Sequence, residues 1–363
     1  MLLKKIIVCL CCLIFVNCNT PQMTQNTELQ LEKVYTFDSN FTNSNSIIID
    51  NDTLMFLENI KIDTVIFKAV SIKSNQIFQK VYFEDGYNLG NRSYDNIHKV
   101  YIFSKQLHSL ILQKINGTTQ ILSLKETCKI NPLIYQNLVL FQDRGCCIKV
   151  INTENFKTIW TIPTGGFSIS QPILEDRNAI ILLNDNTLIS VDFITGKENW
   201  RYKSNTGLHI GSVYGSNQEQ VFILTTDLKD NIEIEAIDIT NGKLLIHKKL
   251  KERIDVWNTS NVVIGNKLYC KGYDNVFVYD LKSFEKLNEF NIKDLSNTKL
   301  VKYNTKILFS TDKDKKLFYI ENEELKEIQS KIKIHDIILD SSDNIYIFSY
   351  PQLYKARLLV YQS

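Results

Sequence analysis

The chain has 363 residues, with 42 Lys and Arg against 40 Asp and Glu. So even a balance excludes a nucleic-acid surface, which needs a basic stripe, and excludes electrostatic steering as the main binding term. The length suits two ordinary domains or one large repeat fold.

Met1–Lys5 is a short basic opening, and Ile6–Val16 is an uncharged apolar run. A bilayer span takes about 20 residues, so this run is too short to cross. It fits the apolar region of a secretory signal peptide. The run ends Phe15-Val16-Asn17-Cys18 and resembles a bacterial lipoprotein signal, although Asn17 stands where a small residue is usual. That resemblance implies cleavage before Cys18 and a lipid on its sulfur, with residues 1–17 removed. An ordinary secreted protein cut nearby, or an uncleaved anchor, is the alternative. Residues 18–29 follow as the lipidated Cys and a polar tether. Ten tether residues reach about 35 Å when extended, enough to hold a folded body clear of the membrane. No acidic run follows Cys18, so the expected address is the periplasmic leaflet of the outer membrane, with the cell surface as the alternative.

Residues 30–363 read as one domain of repeated short strands. The clearest unit is Val191–Trp200, strand, turn, strand, with Gly196 where a positive φ is cheap. Aligned on the strand end before the turn, units fall at Lys73, Asn116, Asn152, Asp192, Asp238, Asp280 and Glu321, at steps of about 36 to 46 residues. That is the period of a propeller blade. In the best unit the strands are Gln171–Leu174, Ala179–Leu183, Leu188–Phe193 and Glu198–Lys203. Glu321–Ile328 has helical composition but lies where the repeat demands a turn and a strand. The last unit, from about His335, stops one strand short at Ser363. Gln30–Phe37 is a strand without a unit and looks like Ile77–Phe83. The expected fold is therefore all-β: an eight-bladed β-propeller of four-stranded antiparallel blades, its last blade closed by the N-terminal strand.

Val191–Trp200 is similar to the repeat of quinoprotein-type (PQQ-like) β-propellers, matching at Asp192, Thr195, Gly196 and Trp200. Ile237–Lys243 keeps the turn but has Ile246 at the Trp position; Ile151–Trp160 keeps Trp160 but lacks the Gly. The resemblance implies that Trp160 and Trp200 pack between blades and are mostly buried. The family joins quinone-dependent dehydrogenases to noncatalytic lipoproteins, including the propeller lipoprotein of the outer-membrane β-barrel assembly machinery. Fold does not choose between them.

The dehydrogenases stack their cofactor on a disulfide between adjacent cysteines, and Cys146-Cys147 is such a pair. The calcium ligands and catalytic Asp that those enzymes need have no counterpart with matching surroundings. A disulfide from Cys128 to Cys146 or Cys147 is another reading, with buried free thiols as its alternative, and Cys270 is expected as a buried thiol. The five His residues lack metal-ligand spacing, and Asp312 and Asp314 sit among lysines as a solvated turn. The expectation is a monomeric protein without catalysis, cofactor or metal.

Binding then falls to the propeller faces. The long link Glu84–Asn96 carries Tyr87, Arg92 and Tyr94, and Tyr350–Ala356 carries Tyr350 and Tyr354. Both are placed as loops on the face of the blade-to-blade links. Trp257 in another link extends the patch, whose composition matches binding hot spots. A cell-envelope protein partner is the first expectation. A toxin to be neutralised, a glycan, or quinone chemistry are the alternatives.

Overall fold

A computed structural model describes residues 26–37, 46–61, 64–84, 92–95, 99–105, 109–115, 117–123, 132–143, 147–163, 172–183, 185–204, 209–216, 219–226, 232–254, 261–295, 299–311, 316–340 and 342–361. These form eight four-stranded antiparallel sheets arranged as the blades of a ring.

Blade 8 holds both ends of the chain. Its strands, from the axis outward, are β30 (Asp336–Leu339), β31 (Ile345–Ser349), β32 (Gln352–Tyr361) and β1 (Asn26–Thr36). The N-terminal strand therefore closes the ring. It runs antiparallel to β32 from Asn26↔Tyr361 to Thr36↔Gln352. Blade 1 is β2 (Ile48–Asp50), β3 (Thr53–Lys61), β4 (Thr64–Ser71) and β5 (Gln76–Glu84). Blade 2 is β6 (Arg92–Asp95), β7 (Val100–Lys105), β8 (Ser109–Lys114) and β9 (Thr119–Ser123). Blade 3 is β10 (Leu133–Tyr135), β11 (Leu138–Asp143), β12 (Cys147–Asn152) and β13 (Thr158–Pro163). Blade 4 is β14 (Ile173–Glu175), β15 (Asn178–Leu182), β16 (Thr187–Asp192) and β17 (Glu198–Lys203). Blade 5 is β18 (His209–Ser216), β19 (Gln220–Thr226), β20 (Ile232–Asp238) and β21 (Leu244–Leu250). Blade 6 is β22 (Val262–Ile264), β23 (Lys267–Lys271), β24 (Asn275–Asp280) and β25 (Lys286–Asn291). Blade 7 is β26 (Val301–Tyr303), β27 (Lys306–Ser310), β28 (Lys316–Glu321) and β29 (Glu324–Gln329). The helix-like composition at Glu321–Ile328 is thus overridden by strand pairing of β28 with β29.

The core lies between blades. Leu140, Ile148 and Val150 of blade 3 pack with Ala179, Ile189 and Phe193 of blade 4. Both faces of each sheet are covered, so second strands such as β15 read as continuous apolar runs. Outer strands such as β17 are mostly exposed, with Trp200 turned inward.

The turn between third and fourth strands is built the same way in four blades. Asn152, Asp192, Asp238 and Asp280 each accept the backbone N–H groups two and three residues on. The fifth residue takes a positive φ: Phe156, Gly196, Gly242 and Phe284. A β-bulge follows. Ser190 faces Trp200 and Val191 faces Glu198, leaving Asn199 without an opposite number. Blades 1, 3, 5 and 6 repeat the shift. A bulge bends the outer strand and re-aims the next side chain, and it blunts an exposed edge.

That re-aimed side chain reaches the next blade. The Trp160 indole N–H donates to the Phe193 carbonyl at 2.9 Å, and Trp200 donates to Ile239 at 2.8 Å. Gln79 reaches the Lys114 carbonyl at 3.0 Å, and Asn288 reaches that of Glu323 at 3.2 Å. Trp200 is buried, 7% exposed, whereas Trp160 is only half-buried, less than the sequence implied.

Candidate recognition surfaces

Strand alternation assigns each turn to a face. Turns between second and third strands share one face with the links between blades; the other turns share the opposite face. Tyr350 lies on the linking face, in the tight turn between β31 and β32, and is 44% exposed. Its N–H donates to His335 Nδ1 at 3.1 Å, and its ring meets Phe348 edge-on. Tyr273, in the turn between β23 and β24, is on the same face and 58% exposed.

Two segments expected as loops are strands. Arg92–Asp95 is the innermost strand of blade 2, with Arg92 opposite Phe103. Tyr94 is half-buried, and its hydroxyl donates to Asp50 Oδ2 at 2.9 Å. Asp50 ends β2 at its turn to β3, so this contact draws Tyr94 towards the face opposite Tyr350. Residues 352–356 belong to β32, where Tyr354 pairs with Lys33 and its hydroxyl meets Gln352 Oε1. The structure does not bring Tyr94 and Tyr350 to one face. Cys18, Tyr87, Cys128, Cys146 and Trp257 lie outside the described residues, and with them the lipid site and the cysteine pairings. Cys147 opens β12, half-buried, opposite Asp143. Cys270 is a fully buried thiol, and burial pushes its pKa up.

Among the described residues, two grooves between blades can be traced. The first, about 850 Å³, follows the closing seam between blades 8 and 1 and is floored in part by Val34, Tyr35, Ile72 and Tyr346. Lys33, Lys73, Lys355 and Arg357 also line it. Burial, then Asp340, pushes the Tyr346 hydroxyl up to about 12. The second groove, about 770 Å³, lies beside Trp200 between blades 4 and 5 and is acidic, with Glu175, Asp176 and Glu198 against Lys197. Burial, then Asp176, raises the Glu175 pKa.

Towards the linking face, the joint between blades 4 and 5 holds a polar cluster. Glu235 is 2% exposed and raised in pKa, first by burial. The hydroxyls of Ser204 and Tyr202 donate to it. Glu233 pairs with His247 at 3.0 Å and Lys249 at 3.2 Å. Among the described residues, no group of three or more His, Cys, Asp or Glu is placed to hold a metal ion.

Sequence reasoning missed Tyr273 and both grooves. The turn signal Lys271-Gly272-Tyr273-Asp274 was present. The seam groove needs residues more than 250 positions apart, and only the inferred closure pointed there.

This geometry defines the class: an eight-bladed β-propeller. No family model matches the chain, and no curated protein matches it. Solved structures do match. BamB from Moraxella catarrhalis superposes with a TM-score of 0.67 at 14% identity, covering 90% of this chain and 99% of that one. Saccharomyces cerevisiae Sqt1 gives 0.66 at 11% identity, covering 89% and 98%. The C-terminal WD40 domain of Sif2 gives 0.64 at 12% identity, covering 91% and 98%. At these identities the likeness is one of fold.

Proposed function

We propose that this chain is a noncatalytic recognition module of the bacterial cell envelope. It is held on the periplasmic face of the outer membrane by lipid on Cys18, and it binds a partner protein through its linking face. The observation that carries the reading is the pair of exposed tyrosines, Tyr273 and Tyr350, on one face of a closed ring. Tyrosine supplies large contact area and a polar tip at low entropic cost, the composition of interaction hot spots. The fold likeness to BamB and to WD40 propellers supports a scaffold, and the signal-like N-terminus with Cys18 supports the address. The PQQ-like repeat at Val191–Trp200 is part of the same reading, as a structural motif without quinone.

The test is affinity capture from cross-linked envelopes, using the full-length protein and a Tyr273→Ala/Tyr350→Ala variant that keeps its melting temperature. A protein captured by the wild type and lost from the variant supports the reading. Equal capture by both moves the site off this face, and capture of no protein removes the partner.

A further inference from the structure

We propose that the groove along the closing seam binds an acidic, extended segment of a partner protein. The proposal rests on the scaffold reading and gives it a second site with defined chemistry.

The groove exists because the ring is closed by two chain ends. Where a bulge precedes the reaching side chain, an outer strand sends that group onto the next blade's third-to-fourth turn, as Trp160 and Trp200 do. Blade 8 has no such turn of its own: the chain leaves β32 at Tyr361 and enters β1 at Asn26. Its one bulge, between Lys33 and Tyr35, lies towards the other end of the strand pair. The turn of blade 1 at Ile72–Asn75 therefore faces an open cleft of about 850 Å³.

Its shape suits an extended chain. Five consecutive residues of β1, Glu32 to Thr36, line one wall, a length of about 17 Å at 3.4 Å per residue. β1 is also an outermost strand, so one row of its backbone groups faces outward beside the groove.

Its charge selects acid. Lys33, Lys73, Lys355 and Arg357 make no ion pair among the described residues. The groove's aspartates are already engaged. Asp52 accepts from Ser71 Oγ and Lys73 N–H, both at 2.8 Å. Asp340 accepts from the N–H groups of Ser342 and Asn344 at 2.8 Å and from Asn344 Nδ2 at 2.7 Å. These donors are uncharged, so Asp52, Asp340 and Glu32 together set three carboxylates against the four cations, and the groove keeps an excess of one positive charge. The groove beside Trp200 has the opposite sign and serves as an internal control.

The experiment is fluorescence anisotropy on the full-length protein in detergent. The probe is a labelled peptide of alternating Glu and Val, about ten residues long so that it overspans the groove. Its Gln–Val and Lys–Val counterparts are run beside it. The expected result is binding of the Glu peptide at least about tenfold tighter than the Gln peptide, weakening as salt rises. Lys355→Glu/Arg357→Glu should lower affinity at least about tenfold. Lys197→Glu, in the acidic groove, should leave it unchanged. Lys355 and Arg357 sit in a strand, so Lys73→Glu, in an exposed turn, carries the same expectation if the double variant does not fold. Equal binding of Glu and Gln peptides, no binding, or full affinity in the folded groove variants overturns the proposal. Displacement of the Glu peptide by inorganic phosphate at equal charge also overturns it, since the site then reads isolated anions. Envelope capture separates the two readings: a partner held equally by Lys73→Glu protein removes this groove and leaves the scaffold standing.

Discussion

The ring of Trp160 abuts Gly196 of the next blade so closely that a Cβ on Gly196 would lie 2.7 Å from it. Gly196 also has φ +72°, which side chains rarely adopt. Trp200 and Gly242 repeat the contact one blade on, again at 2.7 Å. Gly196→Ala should therefore destabilise the protein by about 2–3 kcal/mol, from backbone strain and overpacking together. With Trp160→Leu already in place, the overpacking part should disappear. A double-mutant cycle by urea unfolding measures this, and simple additivity would contradict it.

Trp200→Ala should cost more than Trp160→Ala. Trp200 is buried in the cluster between blades 4 and 5, whereas Trp160 is half-exposed. Loss of a fully buried Trp costs about 3–5 kcal/mol, so Trp200 should fall in that range and Trp160 below it. Urea midpoints at constant m-value check the order.

Two joints hold their bulk the other way round. Phe284 stands at the glycine position of blade 6 and packs in a cluster with Ile246, the residue at the Trp position of blade 5. Phe156 and Leu122 pack against one cluster between blades 2 and 3. The aromatic group comes from the turn or from the outer strand, so volume is kept. Ile246→Trp alone should cost about 1–3 kcal/mol by overpacking. Combined with Phe284→Gly it should cost less than the sum of the two single changes. A sum or worse would show that the joints are not interchangeable.

Acid should weaken the turns. Burial alone would raise the Asp192 carboxyl, but hydrogen bonds from Thr195 and Arg177 outweigh it and leave the pKa lowered. Asp238 is lowered first by the Thr240 hydroxyl, and Asp280 first by the Ser283 N–H. A lowered folded pKa gives stability that is complete above the unfolded value of about 3.9 and lost as pH falls through the folded one. Glu235 has the opposite sign. Burial raises it, so its contribution declines as pH rises from about 4.3. Between pH 7 and pH 3, wild type should lose more stability than Asp192→Asn. Glu235→Gln should gain relative to wild type on the alkaline side. Unfolding curves across this range report both.

Much of the fold was legible because the turn chemistry is local. Asp192, Asp238 and Asp280 announce the period through bonds within three residues, and the likeness of Gln30–Phe37 to the outer strand Ile77–Phe83 announces the closure. The same alignment marks the turns at Asn152 and Asp280, although Phe156 and Phe284 stand where Gly196 and Gly242 mark the others. Arg92–Asp95 read as loop because its polar residues carry no alternation; pairing with β7 makes it a strand. Tyr94 read as a binding residue because nothing nearby in sequence reveals that Asp50 holds its hydroxyl. The seam groove was invisible for the same reason, being assembled from the two ends of the chain.

The anchor is tested by intact mass. Protein purified from membranes should begin at Cys18 and carry the added mass of acyl chains, and Cys18→Ala should leave the membrane fraction. An unmodified N-terminus would remove the anchor while leaving the ring and its surfaces untouched.

The most direct test of a partner-binding linking face is site-specific photo-cross-linking in cells. A photoreactive phenylalanine analogue would replace Tyr273, Tyr350 or, as a control on the outer rim, Leu245. The account predicts one shared protein adduct from positions 273 and 350 and none from 245. Adducts of equal yield from all three positions, or none from the two tyrosine positions, would contradict it.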